Sequence, residues 1–402
     1  MTDEGGIRPQ RIEFVRENAP RDTPSDPEYE IYSDRIISFP DWQPDAQVEA
    51  DRGVGSYRVE DFYAGPEDHT GVTVAYRLQR PLVDGSNNPD DPITDGIQRG
   101  SDGEAVNTHT FMARESHASG GVADGGKRIF YVGRGGYVAS GELPFATDTG
   151  LPIEATITYD FEIFTVFVVD QPSSSTTLDV ESTDSNDNSQ TVTIESEDAS
   201  TTEDVSLSGT TVQTTTATFS DIDAIWLDAQ TQGDVVITDG SGNELARIGG
   251  RESYDQDVGD RGIPPLGAGS HATSIGTSYE KFINDNITAT NGDIGGTGAK
   301  IVSTSFTFDN NTDSDPDGRY MDRYFNEQTL EMTAEVYGPE ALAHEIRGHL
   351  QTSGIDVEWQ GDNTTLTVTG GTRTDSGTAS KEASQGRSST ESTYGFADIT
   401  LA

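Results

Sequence analysis

Three short stretches carry residue types at spacings that do chemistry in other proteins. His344-Glu345-Ile346-Arg347-Gly348-His349 sets two imidazoles and a carboxylate close together. One helix face binds zinc when its histidines stand four apart. Here they stand five apart, which carries the second about 140° round the helix from the first. The stretch therefore reads as the polar end of an amphipathic helix closed by Gly348. Gly121-Val122-Ala123-Asp124-Gly125-Gly126-Lys127-Arg128 has the glycine and lysine spacing of a phosphate-cradling loop. It lacks the Ser or Thr that holds magnesium, and it runs into the strand-like Ile129-Phe130-Tyr131-Val132 instead of opening a helix, so a plain Gly-rich loop is the better reading. Asp313-Ser314-Asp315-Pro316-Asp317-Gly318 has the alternating carboxylates and glycine of a calcium loop, although position twelve is Tyr324 where a bidentate Glu belongs. Asp313, Asp315 and Asp317 are the candidate ligands of a structural cation, whether calcium, magnesium or potassium. No cofactor is required. There is no Ser or Cys nucleophile motif and no dinucleotide fingerprint. Pairs of carboxylates are uninformative without geometry in a chain with 70 acidic residues. No catalytic residue is assigned, and the chain is not expected to be an enzyme.

The 402 residues carry a formal charge of -45, from 70 Asp plus Glu against 25 Lys plus Arg. Such charge opposes compaction unless salt screens it, and in about 1 M salt the Debye length is only about 3 Å. The four lysines are Lys127, Lys281, Lys300 and Lys381, and the other basic residues are arginines. Acid-rich, lysine-poor and hydrophobe-poor together, the composition resembles that of proteins from salt-accumulating halophiles. The absence of cysteine excludes disulfides and thiolate metal sites. The charge also argues against tight binding to a phosphate backbone, which needs clustered Lys and Arg. The N-terminal Met1-Thr2-Asp3-Glu4-Gly5-Gly6 is acidic, and no window approaches the ~20 apolar residues of a membrane span, so cytoplasmic synthesis without membrane insertion is expected.

The longest strand-like run is 151–170. From Ile153 to Ile163 the odd positions are apolar and the even ones are Glu154, Thr156, Thr158, Asp160 and Glu162, the period-two pattern of a strand with one wet face. At Ile163-Phe164 the phase slips, which predicts a bulge and an exit from one β domain into another. Upstream, 7–16 and 29–39 read as two strands closed by Pro40 and Trp42. Residues 57–63 and 71–78 read as a hairpin across Gly65-Pro66-Glu67-Asp68-His69. Residues 84–104 form a long polar loop, and strands follow at 108–113, 128–132 and 137–143. Residues 171–190 read as a linker or edge loop. From 191 to 249, short strands recur every ~8 to 12 residues around Trp226, the pattern of a small immunoglobulin-like sandwich without its disulfide. After a Gly- and Pro-rich hinge at 259–269, a weak helix is expected at 276–287 and strands at 300–308 and 329–337. Pro339 then opens a helix over 339–350, with Leu342, Ala343, Ile346 and Leu350 on one stripe. A hairpin at 355–368, a polar stretch at 370–392 and a last strand at 394–401 end the chain.

The expected fold is therefore mainly β. Residues 1–168 make a first β domain, 169–250 the sandwich, and 251–402 a second β domain with at least one helix. This order of elements resembles the major tail tube protein of long-tailed, siphovirus-like viruses, here one infecting a halophilic archaeon. The resemblance rests on the strands at 56–82 and 128–164, the inserted sandwich at 171–250, and the strand, helix and hairpin at 328–369. It implies two tail-tube-like β-sandwich or barrel units, and a homo-oligomer whose stacked rings pass viral DNA through a lumen without specific binding. Two units per chain imply trimeric rings, and one implies hexamers. It further implies other tail proteins as partners, the virion tail as location, and synthesis in the host cytoplasm. The alternative is a baseplate or surface adhesin that binds the host cell through the immunoglobulin-like sandwich.

Overall fold

The alternating run that begins at Ile153 is the spine of the largest sheet. In the computed structural model of the chain, the described residues are 8–20, 23–24, 28–41, 45–51, 61–99, 107–117, 126–146, 152–196, 201–229, 231–249, 270–271, 275, 282–291, 294, 300–317, 320–337, 353–362, 365–374, 378–382 and 387–401. Strands β1 (Arg8–Arg16), β2 (Glu28–Ile31), β3 (Ile36–Asp41), β4 (Asp45–Asp51) and β5 (Asp61–Arg77) precede helix α1 (Pro92–Ile97). Strands β6 (His109–His117), β7 (Lys127–Ala146) and β8 (Glu154–Asp170) follow. The middle of the chain holds β9 (Leu178–Ser182), β10 (Thr191–Glu195), β11 (Thr202–Ser206), β12 (Gln213–Thr214), β13 (Ala224–Leu227), β14 (Val235–Asp239) and β15 (Glu244–Ile248). Next come β16 (Ser270–His271), β17 (Phe282–Asn291), β18 (Lys300–Asp309), β19 (Asp313–Asp317), β20 (Tyr320–Tyr324) and β21 (Thr329–Tyr337). The last are β22 (Ser353–Gly361), β23 (Thr365–Arg373), β24 (Thr378–Glu382), β25 (Arg387–Phe396) and β26 (Asp398–Leu401). The protein is mainly β, and its named strands pair antiparallel apart from the short parallel contact of β16 with β2.

β7 and β8 pair along almost their whole length. β7 also takes β6 on its first half and β18 on its second, while β8 takes β5 on its first half and touches β15 at Val169. Beyond β18 the order continues through β21 to β25. β23 pairs with β22, β25 and β26, and β17 with β22. One core runs from Phe14, Val74, Phe111 and Tyr159 through Phe145 and Phe306 to Val357, Trp359 and Tyr394. Trp359 stacks on Phe145 at 5.2 Å and donates its indole N–H to Thr304 Oγ1 at 2.8 Å, which satisfies the one polar atom the ring brings inside. A second core fills the space between the β11-β10-β13 sheet and the strands β12, β9, β14 and β15. Its members Val15, Met112, Phe130 and Val132 come from the first stretch of the chain, so the sandwich is seated on β1, β6 and β7 through shared apolar surface.

The register corrects several expectations. No bulge separates Ile163 from Phe164, because the β7 partners run in step from Val138↔Tyr159 to Lys127↔Asp170. The alternation stops for another reason. Ala155, Ile157, Tyr159 and Phe161 enter the main core from one face, Phe164 enters it from the other, and Phe167 and Val169 reach the second core. Between two cores both faces are dry, and 160–164 is buried at every position. Of the hairpin expected at 57–78, the described residues 61–77 are a single strand, β5. Its turn-like Gly65-Pro66 lies in a bulge between Ala46 and Val48 of β4, where a proline without an N–H breaks no ladder bond. Residues 128–132 and 137–143 also join in one strand, β7. Pro40 lies inside β3 and 29–39 is two strands. The helix expected at 276–287 is strand β17 from Phe282 onward, where Ile283, Ile287 and Ala289 favour a pleat as readily as a helix. The polar stretches also hold structure: 84–104 contains α1, 171–190 contains β9, and 370–392 contains the end of β23, all of β24 and part of β25. Residues 217–219 form only an isolated bridge, Thr176↔Phe219. The 339–350 helix and the 259–269 hinge lie outside the described residues.

Candidate functional site

Six strands lie side by side in the order β5-β8-β7-β18-β21-β25. Strict alternation sends Val74, Ile157, Phe306, Met332 and Tyr394 into the core and turns the residues between them outward. Those outward residues form cross-strand rows. Thr73, Thr158, Ser140, Asp309 and Thr329 make one row, and Thr156, Glu142, Thr307 and Glu331 make the next. Ser305, Thr333 and Thr393 follow, and Glu335 faces Glu391 directly. Hydroxyls knit the surface: Thr73 and Thr158 meet at 3.1 Å, and Ser305 donates to Glu142 at 2.6 Å. At the end of β5, Arg77 lies 3.3 Å from Glu154. An open hollow of about 360 Å³ lies on this face among Glu142, Thr156, Thr158, Thr307, Asp309 and Glu331. At the ~4.8 Å strand spacing, the face is about 24 Å wide. It is broad, hydroxyl-rich and anionic.

Behind it lies a buried polar cluster around α1. Asp91 caps the helix, accepting from Ile93 N at 3.1 Å, and also takes the Tyr76 hydroxyl. One turn on, Asp95 accepts from Arg16 Nε at 2.8 Å and Asn107 Nδ2 at 2.5 Å, and lies 2.9 Å from His109 Nε2. His109 Nδ1 is 2.7 Å from the Tyr159 hydroxyl, to which Tyr32 donates at 2.8 Å. A proton on His109 Nε2 closes this chain with every donor matched to an acceptor. Burial pushes the Asp91 carboxyl up to about 7, against the pull of Tyr76, Ile93 N, Arg80 and Arg16. Burial pushes Asp95 up too, but the hydrogen bonds from His109 and Asn107 and the Arg16 guanidinium outweigh it and hold Asp95 below the usual range. Burial raises the hydroxyls of Tyr32, Tyr76 and Tyr159. Asp95, His109 and Tyr159 are fully buried, and their hydrogen bonds tie α1 to β6 and β8.

Of the residues singled out from sequence, Asp313, Asp315 and Asp317 fall in β19, paired to β20 as a two-stranded hairpin. Asp313 and Asp315 are exposed on an extended strand, a different shape from the coil with which a calcium loop encircles its ion. Asp313 accompanies burial among the causes that raise the Tyr324 hydroxyl. Lys127 begins β7 and pairs with Asp170 at 2.8 Å, while 121–125 lie outside the described residues. His344 and His349 lie outside them as well. Sequence reading missed α1, although Asp91-Pro92 is a cap followed by Pro at the first helical position, and Ile93 and Ile97 stand one turn apart. It missed His109 because nothing local marks a histidine whose partners lie 14 and 50 residues away.

No protein-family model matches the chain, and no curated protein matches its sequence. Among the described residues, no helix is long and apolar enough to cross a membrane.

Proposed function

We propose that the chain is a structural virion protein whose copies join into stacked rings of a viral tail tube, and that the six-stranded polar face lines the lumen. The observation that carries this reading is that face. A conduit for DNA must repel phosphate and offer no sticky apolar surface, and rows of Thr and Ser set among Glu142, Asp309, Glu331, Glu335 and Glu391 meet both needs. The sandwich at 171–249 then projects from the ring, and the composition suits assembly in the cytoplasm of a salt-accumulating host. Trimeric rings with pseudo-sixfold symmetry follow if 1–168 and 251–402 are two equivalent units, and hexamers if they are one.

Negative-stain electron microscopy in about 2 to 3 M KCl, where exposed charges are screened, tests the proposal. Rings or tubes with a central hole are expected, and their symmetry counts the units. Dispersed monomers at high protein concentration contradict the proposal and shift the weight to an adhesin, which binds cells as isolated protein.

A further inference from the structure

α1 occupies a position its length does not suggest. All six of its residues are buried, and both its ends are held by side chains from distant strands. On the N-terminal side, Asp91 takes the Tyr76 hydroxyl from β5, Asp95 ties to Arg16 of β1 and His109 of β6, and Thr94 Oγ1 donates to Leu82 O at 2.6 Å. On the C-terminal side, Asn310 Nδ2 donates to Gly96 O at 2.9 Å and to Val138 O at 2.7 Å. Gln328 Nε2 donates to the same Gly96 carbonyl at 3.0 Å. Arg99, just beyond the helix, reaches Asn310 Oδ1 at 3.0 Å and lies over the Phe325 ring at 4.2 Å. A Cβ at Gly96 would sit 2.4 Å from Val138 and 2.7 Å from Phe308, so α1 is pressed onto β7 and β18 at contact distance. The helix thus joins the strands before residue 170 to those after residue 300.

We propose that α1 is a pH-responsive clasp between these two halves, tight when Asp91 is protonated and loosened when it is ionised. The groups facing Asp91 are Tyr76 from β5, Arg80 just after it, Arg16 from β1, and Tyr32 after β2, with Asp90 and Asp95 on its own segment. Arg16 is engaged by Asp95 and the Asp90 carbonyl, and Arg80 by Glu30 and the Ile31 carbonyl, so neither sits on Asp91 as a close ion pair. Asp91 Oδ2 is buried and has no hydrogen-bond partner among the described residues, which suits a neutral acid better than a carboxylate. The folded-state value of about 7 lies above the ordinary 3.8, so this contribution is complete below pH 3.8 and is lost progressively as pH rises from there through about 7.

Hydrogen exchange of the full chain in molar KCl, corrected for the intrinsic pH dependence of exchange, reads the clasp directly. Protection of peptides covering 92–98 and 310–328 is expected to fall together, by about thirtyfold from about pH 5.5 to about pH 8.5. Asp91→Asn keeps the helix cap and flattens that profile. Tyr76→Phe removes a hydrogen bond that holds Asp91 down, so it moves the midpoint upward, and it carries the test if Asp91→Asn does not fold. A pH-independent profile in the parent, an unchanged midpoint in Tyr76→Phe, or loss of protection at 92–98 with 310–328 unaffected overturns the proposal.

Discussion

Asp95 and Asp91 stand one turn apart on the same buried helix, and their surroundings drive them in opposite directions. Asp95 has two cationic or donor partners at its Oδ2 and an amide at Oδ1, so ionisation stabilises the fold. Its folded value lies below 3.8, and that stability is present above pH 3.8 and lost as pH falls through the folded value. Asp95→Asn keeps the shape and strands Arg16 beside a neutral amide. A loss of about 3 kcal/mol in denaturant unfolding is expected, together with a shallower acid limb of the stability profile. Gly136 pairs with Phe161 across β7 and β8, and a Cβ there would stand 2.4 Å from the Phe161 ring and 2.9 Å from the His109 carbonyl. Gly136→Ala is therefore expected to lower stability by about 3 kcal/mol, and Phe161→Leu in the same chain to restore part of it. Neither role is visible in sequence, where Gly133-Arg134-Gly135-Gly136 looks like a turn. The glycines mark a place where an aromatic ring crosses a neighbouring strand.

At the scale of elements, what sequence reveals depends on how local the cause is. The alternation of β8, β18 and β21 depends on each strand's own pleat, and these strands lie where the pattern predicts. Gly65-Pro66 misleads because a bulge and a turn use the same residues, and only the partner strand decides between them. The stretch at 171–190 carries β9 because Leu178 and Val180 alternate into the second core, and in 370–392 β24 is held by its pairing with β25. The sandwich illustrates the same dependence. Arg114 lies 2.8 Å from Asp223 and over the Trp226 ring at 5.6 Å, and Arg128 lies 3.3 Å from Asp223 and donates to Ile222 O. Arg114→Ala leaves Asp223 partly desolvated beside one remaining cation. About 3 kcal/mol of destabilisation is expected, with urea unfolding of the sandwich separating from that of the main sheet. A single transition at the parental midpoint would show that the shared core alone seats the sandwich.

For the whole molecule, the charge of -45 and the polar sheet face are one design problem seen at two sizes. Carboxylates such as Glu335 and Glu391 placed opposite each other repel in dilute salt, and concentrated salt screens that repulsion. What sequence shows here is the total charge and the wet side of each strand. Which strands stand together comes only from the pairing of β7 with both β8 and β18. The claim that this face lines a lumen is tested most directly by cysteine accessibility, because the chain has no cysteine of its own. Thr307→Cys places a thiol in the centre of the face, and Thr202→Cys places one on the exposed sandwich. In assemblies formed at about 3 M KCl, a small maleimide is expected to label both, while a maleimide on a large polymer labels position 202 and leaves position 307 protected until the assemblies are dispersed. Equal labelling of both positions by the large reagent in intact assemblies would contradict the account.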